Sequence, residues 1–383
     1  MKIVLDIRKI GKRQTGDETY IVNLVRELSK IDNKNRYYLC TDSYEGKVKA
    51  KRLLGKIARN FKFRVLKPAG KLFWTRKALP RFCRKNKVDL VHVQYITPLR
   101  LPKGVKLITT IHDVSFKRFP EYVRLKDRLI LNWYIPKSIK KADKVIAVSE
   151  FTRKEILDAY KRVAKKDKIQ VIYNGVDSER FKFLGQYDPG YLERIRSKYN
   201  LGGSYIFHTS SLQPRKNVPV LIEAFREYIR RNDDGETILL IGGEGGYNYD
   251  KRIDELMCDL VLKNRVRMIG YIKDEDLGAI FSMASLYVSP SIYEGFDLPL
   301  LEAMKSGVPV LAARGSCHEE IVGKAGLLAD SEDVNDFSLK INKGINDKKL
   351  RNQLVLKGRN RANKFSWENC ARQTWQLYNR LIQ

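Results

Sequence analysis

Short apolar runs alternate with helical stretches along the whole chain of 383 residues. Each run has the composition of a buried strand, and turn formers or polar residues bound it. Strands that alternate with helices build parallel sheets with crossover helices. The pattern therefore predicts an α/β fold with two doubly wound sheets. The candidate strands are 2–7, 37–41, 63–66, 90–93, 107–111, 144–148 and 169–172 in the first half, and 205–209, 238–241, 266–268, 286–289, 308–312 and 326–328 in the second.

The boundary between the two domains is predicted in residues 183–190, which are rich in turn formers and have no clear period. Residues 1–182 would then form an N-terminal domain, and residues 183–366 a C-terminal domain. Residues 367–383 carry apolar side chains at helical spacing and are predicted to form a helix. Because open α/β sheets bind ligands beyond the carboxyl ends of their strands, we expect a binding cleft between the domains.

Several protein classes are disfavoured by composition. No apolar run reaches the roughly 20 residues that span a bilayer, and charge interrupts the N-terminus too early for a signal peptide. We therefore expect a cytoplasmic protein. The five cysteines are widely spaced, which predicts reduced thiols rather than disulfides or a zinc site. No metal site is expected, because His92, His208 and His318 lack a ligand-like spacing with cysteines or carboxylates.

The net charge of +30 is concentrated in the first half of the chain. Residues 1–182 hold 46 basic and 18 acidic residues, whereas residues 183–383 hold 28 and 26. A basic amphipathic helix is predicted where Leu53, Leu54, Ile57, Ala58 and Phe61 alternate with Lys51, Arg52, Lys56, Arg59 and Lys62. Such a helix can bind an anionic membrane surface. A solvated helix face and nucleic-acid binding remain alternatives, although no nucleic-acid-binding module accompanies the charge.

The segment after the strand 286–289 carries the most informative motif. Gly295 permits a tight loop, and a helix that begins near Leu298 presents its positive N-terminus to an anion. Glu294 and Glu302 lie eight residues apart and can accept hydrogen bonds from sugar hydroxyls. The segment, with Phe296 and Asp297 between these groups, therefore suits a ligand that is part sugar and part diphosphate.

Other candidates follow strands and should lie at the carboxyl edges of the sheets. Arg215 and Lys216 could stabilise the charge of a leaving diphosphate, the alternative being a solvated pair at a helix start. His112 ends the strand 107–111, and position alone leaves a structural role equally open. Gly16 and Gly243 lie in loops after strands, which is by itself a weak signal for phosphate or nucleotide contact.

These motifs resemble those of the retaining GT-B glycosyltransferases of family four. The similarity rests on the Glu294 and Glu302 pair and on four further segments, in the order of that family, and it extends over essentially the whole chain. The four segments are Val145–Phe151, Tyr173–Asp177, Ser211–Asn217 and Ile241–Gly245.

The resemblance implies two Rossmann-like domains that face each other across a cleft, with the helix 367–383 crossing back to the first. It implies that Glu294 binds the donor sugar, Glu302 the ribose, and Arg215 with Lys216 the diphosphate. His112 would lie beside the donor sugar. The remaining donor-binding residues would be Gly16, Gly243, Tyr271, Ile272, Gly295, Phe296, Asp297 and Leu298. The reaction would need neither metal nor cofactor beyond the nucleotide-sugar.

The segment from Ile111 to Asp143 resembles mannosyltransferases of surface-polysaccharide assembly. We therefore expect transfer of a hexose, mannose from GDP-mannose as the first choice, to a lipid-linked or cell-surface saccharide. The protein would be peripheral at the inner face of the plasma membrane, with Lys51, Arg52, Lys56 and Arg59 at the lipid surface and no nucleic-acid partner. Alternatives are another GT-B nucleotide-sugar enzyme, such as an epimerase, or a non-catalytic basic protein that binds membrane or nucleic acid.

Overall fold

A computed structural model describes residues 1–11, 16–67, 73–232, 236–246 and 248–382. The chain divides into two compact units. The first comprises Met1–Pro120, Arg124–Gly175 and Trp367–Gln383, and the second comprises Glu121–Val123 and Val176–Ser366. The boundary predicted between residues 182 and 183 lies within the second unit, shortly after its main segment begins.

The first unit contains a seven-stranded parallel sheet in the order β3-β2-β1-β4-β5-β6-β7. The seven strands predicted in this half are confirmed, with small differences at their ends. Their bounds are β1 Lys2–Asp6, β2 Arg36–Thr41, β3 Phe61–Val65, β4 Leu90–Gln94, β5 Lys106–Ile111, β6 Lys144–Ala147 and β7 Ile169–Val171. Buried aliphatic side chains fill β1 and β4, as a sheet covered on both faces requires.

Helices connect these strands, and the C-terminal helix joins them. The connecting helices are α1 Gly16–Ile31, α2 Tyr44–Leu54, α3 Leu79–Asn86, α4 Ser115–Arg118, α5 Leu125–Lys141 and α6 Glu150–Ala159. The predicted C-terminal helix is confirmed as Trp367–Ile382, and it belongs to the first unit. It packs against α1, where the rings of Tyr20 and Trp367 meet edge to face.

The second unit contains a six-stranded parallel sheet in the order β10-β9-β8-β11-β12-β13. Its predicted strands are also confirmed, as β8 Tyr205–Thr209, β9 Ile238–Gly242, β10 Val266–Gly270, β11 Leu286–Ser289, β12 Val310–Ala313 and β13 Leu327–Ala329. The helices are α7 Pro189–Tyr199, α8 Val218–Asn232, α9 Arg252–Met257, α10 Asp274–Met283, α11 Leu298–Lys305, α12 His318–Val322, α13 Val334–Asn346 and α14 Lys348–Ala362. Phe225, Tyr228 and Phe337 fill the core between α8, α13 and the sheet.

The basic helix predicted over residues 51–62 is wrong. Helix α2 begins after Ser43, whose hydroxyl accepts a hydrogen bond from the Gly46 amide, and it ends at Leu54. Gly55 adopts φ 64°, and β3 begins at Phe61. The four predicted membrane-facing cations are exposed, but they lie in the last turn of α2 and in the following loop. We call this set the basic cluster: Lys51, Arg52, Lys56 and Arg59.

Within the described ranges, every helix is too short or too polar to traverse a bilayer.

Candidate active site

The predicted donor-binding residues of the second unit lie at the carboxyl ends of neighbouring strands. Arg215 and Lys216 follow β8, Gly243 follows β9, Tyr271 follows β10, and the loop from Glu294 follows β11. Strands β8 and β11 are neighbours, and the chain progresses away from them in opposite directions across the sheet. This is a topological switch point, where open α/β sheets bind ligands.

Two cations hold the Glu294 carboxylate at this switch point. The Lys216 Nζ contacts Glu294 Oε1, and the Arg215 Nη1 lies 3.2 Å from Glu294 Oε2. Arg215 also donates to the Tyr293 carbonyl oxygen at 2.9 Å, while the Ile292 amide donates to the Arg215 carbonyl oxygen at 3.0 Å. These contacts fix the two loops to each other and leave a net positive charge at the cluster.

The surroundings of Glu294 keep its carboxylate ionised. Burial alone would raise the pKa of Glu294, but the positive charges of Lys216 and Arg215 outweigh burial and lower it well below its usual range. The carboxylate is therefore a hydrogen-bond acceptor only, which suits sugar hydroxyls.

Glu302 experiences a different environment, one turn inside α11. Burial raises the pKa of its carboxyl to about 7, and the Arg180 charge opposes this only in part. The negative charges of Asp274, Asp297 and Asp177 contribute to the same rise. The two glutamates of one short motif are thus held in opposite ways, one as a fixed anion and the other near the midpoint of its titration at neutral pH.

Asp297 turns the chain from the loop into α11. Its backbone is left-handed, with φ 59° and ψ 67°, and its side chain does not cap the helix. Instead, its Oδ2 accepts hydrogen bonds from the Ser289 hydroxyl at 2.5 Å and from His318 Nε2 at 3.0 Å. His318 is fully buried and begins α12, after β12. The pattern of the sequence did not reveal this pair.

The rest of the loop between Glu294 and α11 is packed rather than solvated. Phe296 is buried against Phe365, with ring centroids 5.9 Å apart, and Leu298 begins α11 with Pro299 behind it. Gly295, which stands between Glu294 and Phe296 in the chain, is also buried. The apolar side chains of Phe296 and Leu298 therefore anchor the loop.

Gly243 is required by a close backbone approach. It adopts φ 124°, and a Cβ there would lie 1.8 Å from the Ser210 carbonyl oxygen. The Gly243 amide also donates to the Gly270 carbonyl oxygen at 2.7 Å, which draws together the loops after β9 and β10. Beyond Gly270, Tyr271 is exposed and Ile272 is buried. Only a glycine lets these loops meet at the site.

In the first unit, His112 lies at the carboxyl edge of β5 and is almost fully buried. Its Nε2 lies 2.8 Å from the Gln94 Oε1, and the Asp17 Oδ1 lies 3.8 Å away. Burial lowers the pKa of His112, although Asp17 opposes the change. The neutral ring donates from Nε2 to Gln94, which leaves Nδ1 as its acceptor. Gln94 is itself buried, and its Nε2 has no hydrogen-bond partner among the described residues.

The predicted loop from Gly11 to Gly16 is described only at its ends, since residues 12–15 lie outside the described ranges. Gly16 is the exposed first residue of α1, and a Cβ there would contact nothing within 4 Å. The acidic pair beside it contacts residues that precede the range 12–15: Asp17 accepts from Lys9 at 2.8 Å, and Glu18 accepts from the Gly11 amide at 2.6 Å.

Sequence reasoning missed Gln94, Asp17 and the Asp297–His318 pair as parts of these sites. Gln94 is the last residue of β4, next to β5 in the sheet, so strand order would have placed it beside His112. His318 had no comparable signal. Among the described residues, no group of three or more His, Cys, Asp or Glu side chains is placed to hold a metal ion.

Comparison with known protein families identifies the family of this chain. The family described as "Glycosyltransferase Family 4" matches residues 15–180, and "Glycosyl transferases group 1" matches residues 192–361. The O-antigen chain mannosyltransferase B of Escherichia coli is 32% identical over 290 residues, which cover 74% of this chain and 72% of that protein. The chain belongs to the family four glycosyltransferases. This glycosyltransferase is therefore an enzyme, as the motifs implied.

Other relatives and solved structures extend the comparison. The serotype-specific mannosyltransferase WbdA of Escherichia coli is 25% identical over 244 residues, and the match spans 64% of this glycosyltransferase and 29% of that longer protein. Sucrose-phosphate synthase from Thermosynechococcus elongatus has a TM-score of 0.78 at 21% identity, covering 100% of this chain and 99% of that one. Anabaena HepE, solved with UDP and glucose, has a TM-score of 0.76 at 19% identity and covers 99% of both chains. These structures confirm the GT-B fold.

Proposed function

We propose that this glycosyltransferase moves a hexose, with retention at the anomeric carbon, from a nucleoside diphosphate sugar to a saccharide hydroxyl. The observation that carries the proposal is the Arg215, Lys216 and Glu294 cluster at the switch point of the second sheet. Two cations with one ionised carboxylate suit a ligand whose diphosphate is anionic and whose sugar is a hydrogen-bond donor.

The proposed roles follow from the contacts. Arg215 and Lys216 would bind the diphosphate oxygens, since both are cationic N–H donors. Glu294 would accept hydrogen bonds from the sugar, and Glu302 from the ribose. Gly243, Tyr271 and Ile272 would contact the nucleotide, and the loop from Gly295 to Leu298 would contribute backbone donors.

The reaction needs no protein nucleophile and no metal in this scheme. The bond between the anomeric carbon and the donor phosphate oxygen breaks, and a bond to the acceptor oxygen forms on the same face. The acceptor proton passes to the departing phosphate oxygen, whose charge Arg215 and Lys216 stabilise. His112 is the proposed reaction-centre residue of the first unit, and Gly16 lies in its proposed phosphate-binding loop.

GDP-mannose is the proposed donor, supported by the mannosyltransferase name of the relative that is 32% identical. A lipid-linked or cell-surface polysaccharide intermediate is the proposed acceptor. A panel of GDP-, UDP- and ADP-sugars should be screened by thermal shift, followed by analysis of the product and its anomeric configuration. We expect the largest shift with GDP-mannose and an α-linked product. Release of a free epimerised sugar, or no donor binding at all, would favour the alternative functions.

The Arg215→Ala variant tests the cluster. It should weaken donor binding at least tenfold, because a charge-assisted hydrogen bond to phosphate contributes about 1.5–3 kcal/mol. Arg231→Ala, at an exposed site on α8, is the matched control and should leave binding unchanged. Unchanged donor affinity and turnover in Arg215→Ala would show that the diphosphate binds elsewhere.

We also propose that the first unit binds an anionic membrane surface at the cytoplasmic face, through the basic cluster. Each cation near such a surface contributes about 1 kcal/mol. Helix α5 offers a rival surface, because Leu125, Leu129 and Trp133 form an exposed stripe, with Lys137 Nζ 2.9 Å above the Trp133 ring. Pelleting with anionic liposomes should therefore be compared for a variant without the basic cluster and for Leu129→Gln.

The two variants separate three outcomes. Loss of pelleting only in the variant without the basic cluster would support the proposal. Loss of pelleting only in Leu129→Gln would show that the protein binds the membrane through α5. If the wild-type protein does not pellet with anionic vesicles at low salt, the membrane proposal is wrong altogether.

A further inference from the structure

His318 makes two hydrogen bonds whose partners define its protonation. The ring is fully buried, with Nδ1 2.8 Å from the Ala313 carbonyl oxygen and Nε2 3.0 Å from Asp297 Oδ2. A carbonyl oxygen can only accept, so Nδ1 carries a proton. The other nitrogen faces an oxygen that already accepts the Ser289 hydroxyl at 2.5 Å. The arrangement that satisfies all three partners is an imidazolium bound to a carboxylate.

The charged groups around the ring favour this assignment. Burial would lower the pKa of His318, but the hydrogen bond to Asp297, the charge of Asp297 and the charge of Glu294 raise it above the usual value. Glu294 forms ion pairs with Lys216 and Arg215. Asp297 instead forms its ion pair with the His318 ring.

A second buried histidine of the same unit provides an internal comparison. His208 also donates from Nδ1 to a carbonyl oxygen, that of Val288 at 2.8 Å. Its Nε2, however, lies 2.7 Å from the Ser210 hydroxyl rather than a carboxylate. Burial lowers the pKa of His208 to about 4, so this ring stays neutral. The carboxylate of Asp297 is the difference between the two sites.

Asp297 connects this ion pair to the loop that runs from Glu294 to the start of α11. Its left-handed backbone would ordinarily favour glycine or asparagine, and its side chain is directed to Ser289 and His318 rather than to the N-terminus of α11. Glu294 lies three residues before Asp297 in the chain, and Leu298, the next residue, begins the helix α11 that contains Glu302. Whatever fixes the Asp297 side chain therefore fixes the course of this loop.

We propose that His318 is a positioning residue, whose imidazolium anchors Asp297 and thereby holds the loop of Glu294 in its donor-binding geometry. This inference rests on the proposed function. It predicts that, in a Glu302→Gln background that removes the other nearby group titrating near neutral pH, donor binding still weakens as pH rises and His318 loses its proton. The reason is that the neutral ring can no longer donate to both oxygens.

The first experiment measures the protonation state of the His318 ring directly. The chain has four histidines, so a ¹⁵N-histidine spectrum of the full-length protein contains four rings, and single His→Gln variants assign them. At pH 7.5 we expect the His318 ring to be doubly protonated and His208 to be neutral. The Asp297→Asn variant, in which asparagine still accepts the left-handed backbone, should convert His318 to the neutral form. A neutral His318 in the wild-type spectrum would overturn the proposal without reference to any donor.

The second experiment tests the link to the donor. The KM for the nucleotide-sugar identified by the panel should rise about tenfold in His318→Gln and Asp297→Asn, and the alkaline rise of KM should move to lower pH in Asp297→Asn. His92→Gln, at a buried histidine of the first unit, is the control for lost stability and should leave the pH dependence of KM unchanged. If both site variants lower the melting temperature but keep the wild-type KM and pH profile, His318 is only a structural residue. If no donor binds, the proposed function fails, while the spectrum still decides the charge of His318.

Discussion

Replacing Glu302 with glutamine should stabilise the protein at neutral and alkaline pH while weakening donor binding. The side chain is partly buried on α11 and experiences more negative than positive charge. Its folded-state pKa is raised to about 7 from the usual 4.5. The folded state therefore binds the Glu302 proton more tightly than the unfolded state does. Ionising this group costs stability, and glutamine keeps the shape of the side chain without the charge.

The size of the effect follows from the pKa. A rise of about 2.5 pH units corresponds to about 3.4 kcal/mol at about 1.4 kcal/mol per unit. Glu302 is only partly buried, so solvent screening reduces this value. We expect Glu302→Gln to raise the free energy of unfolding by about 1–2 kcal/mol. The gain should be complete above pH 7, decline between pH 7 and pH 4.5, and vanish below that range.

Glu294→Gln is the matched comparison, because the same chemical change should lower the free energy of unfolding instead of raising it. The pKa of Glu294 is lowered by Lys216 and Arg215, so its ionised form stabilises the folded state at neutral pH. The variant leaves two partly buried cations without their carboxylate and should lose stability by about 2 kcal/mol or more. This loss should persist down to pH 4.5 and shrink only at more acidic pH.

Urea unfolding of both variants at pH 5, 6, 7 and 8 measures the predicted signs. Calorimetry with the nucleoside diphosphate measures the functional cost, which should appear in both variants. If Glu302→Gln is destabilising at pH 8, or if its effect is independent of pH, the carboxyl is not held near neutrality by burial. A stabilised variant with unchanged nucleotide affinity would instead remove Glu302 from the proposed ribose site.

Two further predictions follow from the backbone and the first unit. Gly243→Ala should lower the free energy of unfolding by about 1–3 kcal/mol in urea titrations and also weaken nucleotide binding, because the new methyl group would clash with the Ser210 carbonyl oxygen. Gly246→Ala, whose Cβ would meet nothing within 4 Å, is the control, and equal losses in the two variants would contradict this reason. Gln94→Leu should reduce kcat at least tenfold by removing the acceptor of the His112 Nε2–H, and an unaltered kcat would show that this hydrogen bond does not support the reaction.

The strands were predictable because each is a short apolar run with its own boundaries. Parallel sheets bury both faces of a strand, so a continuous run of apolar residues predicts a strand even when apolar and polar residues do not alternate. The predicted helix over residues 51–62 failed for a local reason that the sequence contained. Gly55 interrupts the pattern, its left-handed φ ends α2, and the apolar residues beyond it belong to β3. A helix-stopping glycine outweighs apolar periodicity at this position.

The candidate site was predictable in its residue types but not in its electrostatics. Glu294 and Glu302 are separated by a fixed number of residues, yet their ionisation is set by groups far away in sequence. Lys216 contacts Glu294 from the loop after β8, and Asp274 acts on Glu302 from the start of α10. The spacing of residues along one segment determines which side chains can face the same ligand. The order of the strands determines which charged groups lie near those side chains and shift their pKa.

Strand order also explains why Asp297 occupies a left-handed position that glycine would accept more readily. The side chain does not cap α11. Strands β11 and β12 are neighbours, however, and they bring Ser289 and the start of α12 to within hydrogen-bonding distance of it. The charge-assisted hydrogen bonds from the Ser289 hydroxyl and the His318 ring each contribute more than a neutral one and offset the backbone cost of about 1 kcal/mol. An Asp297→Gly variant should therefore relax the backbone and still lose the loop geometry. A gain in both stability and donor affinity would show that the carboxylate has no positioning role.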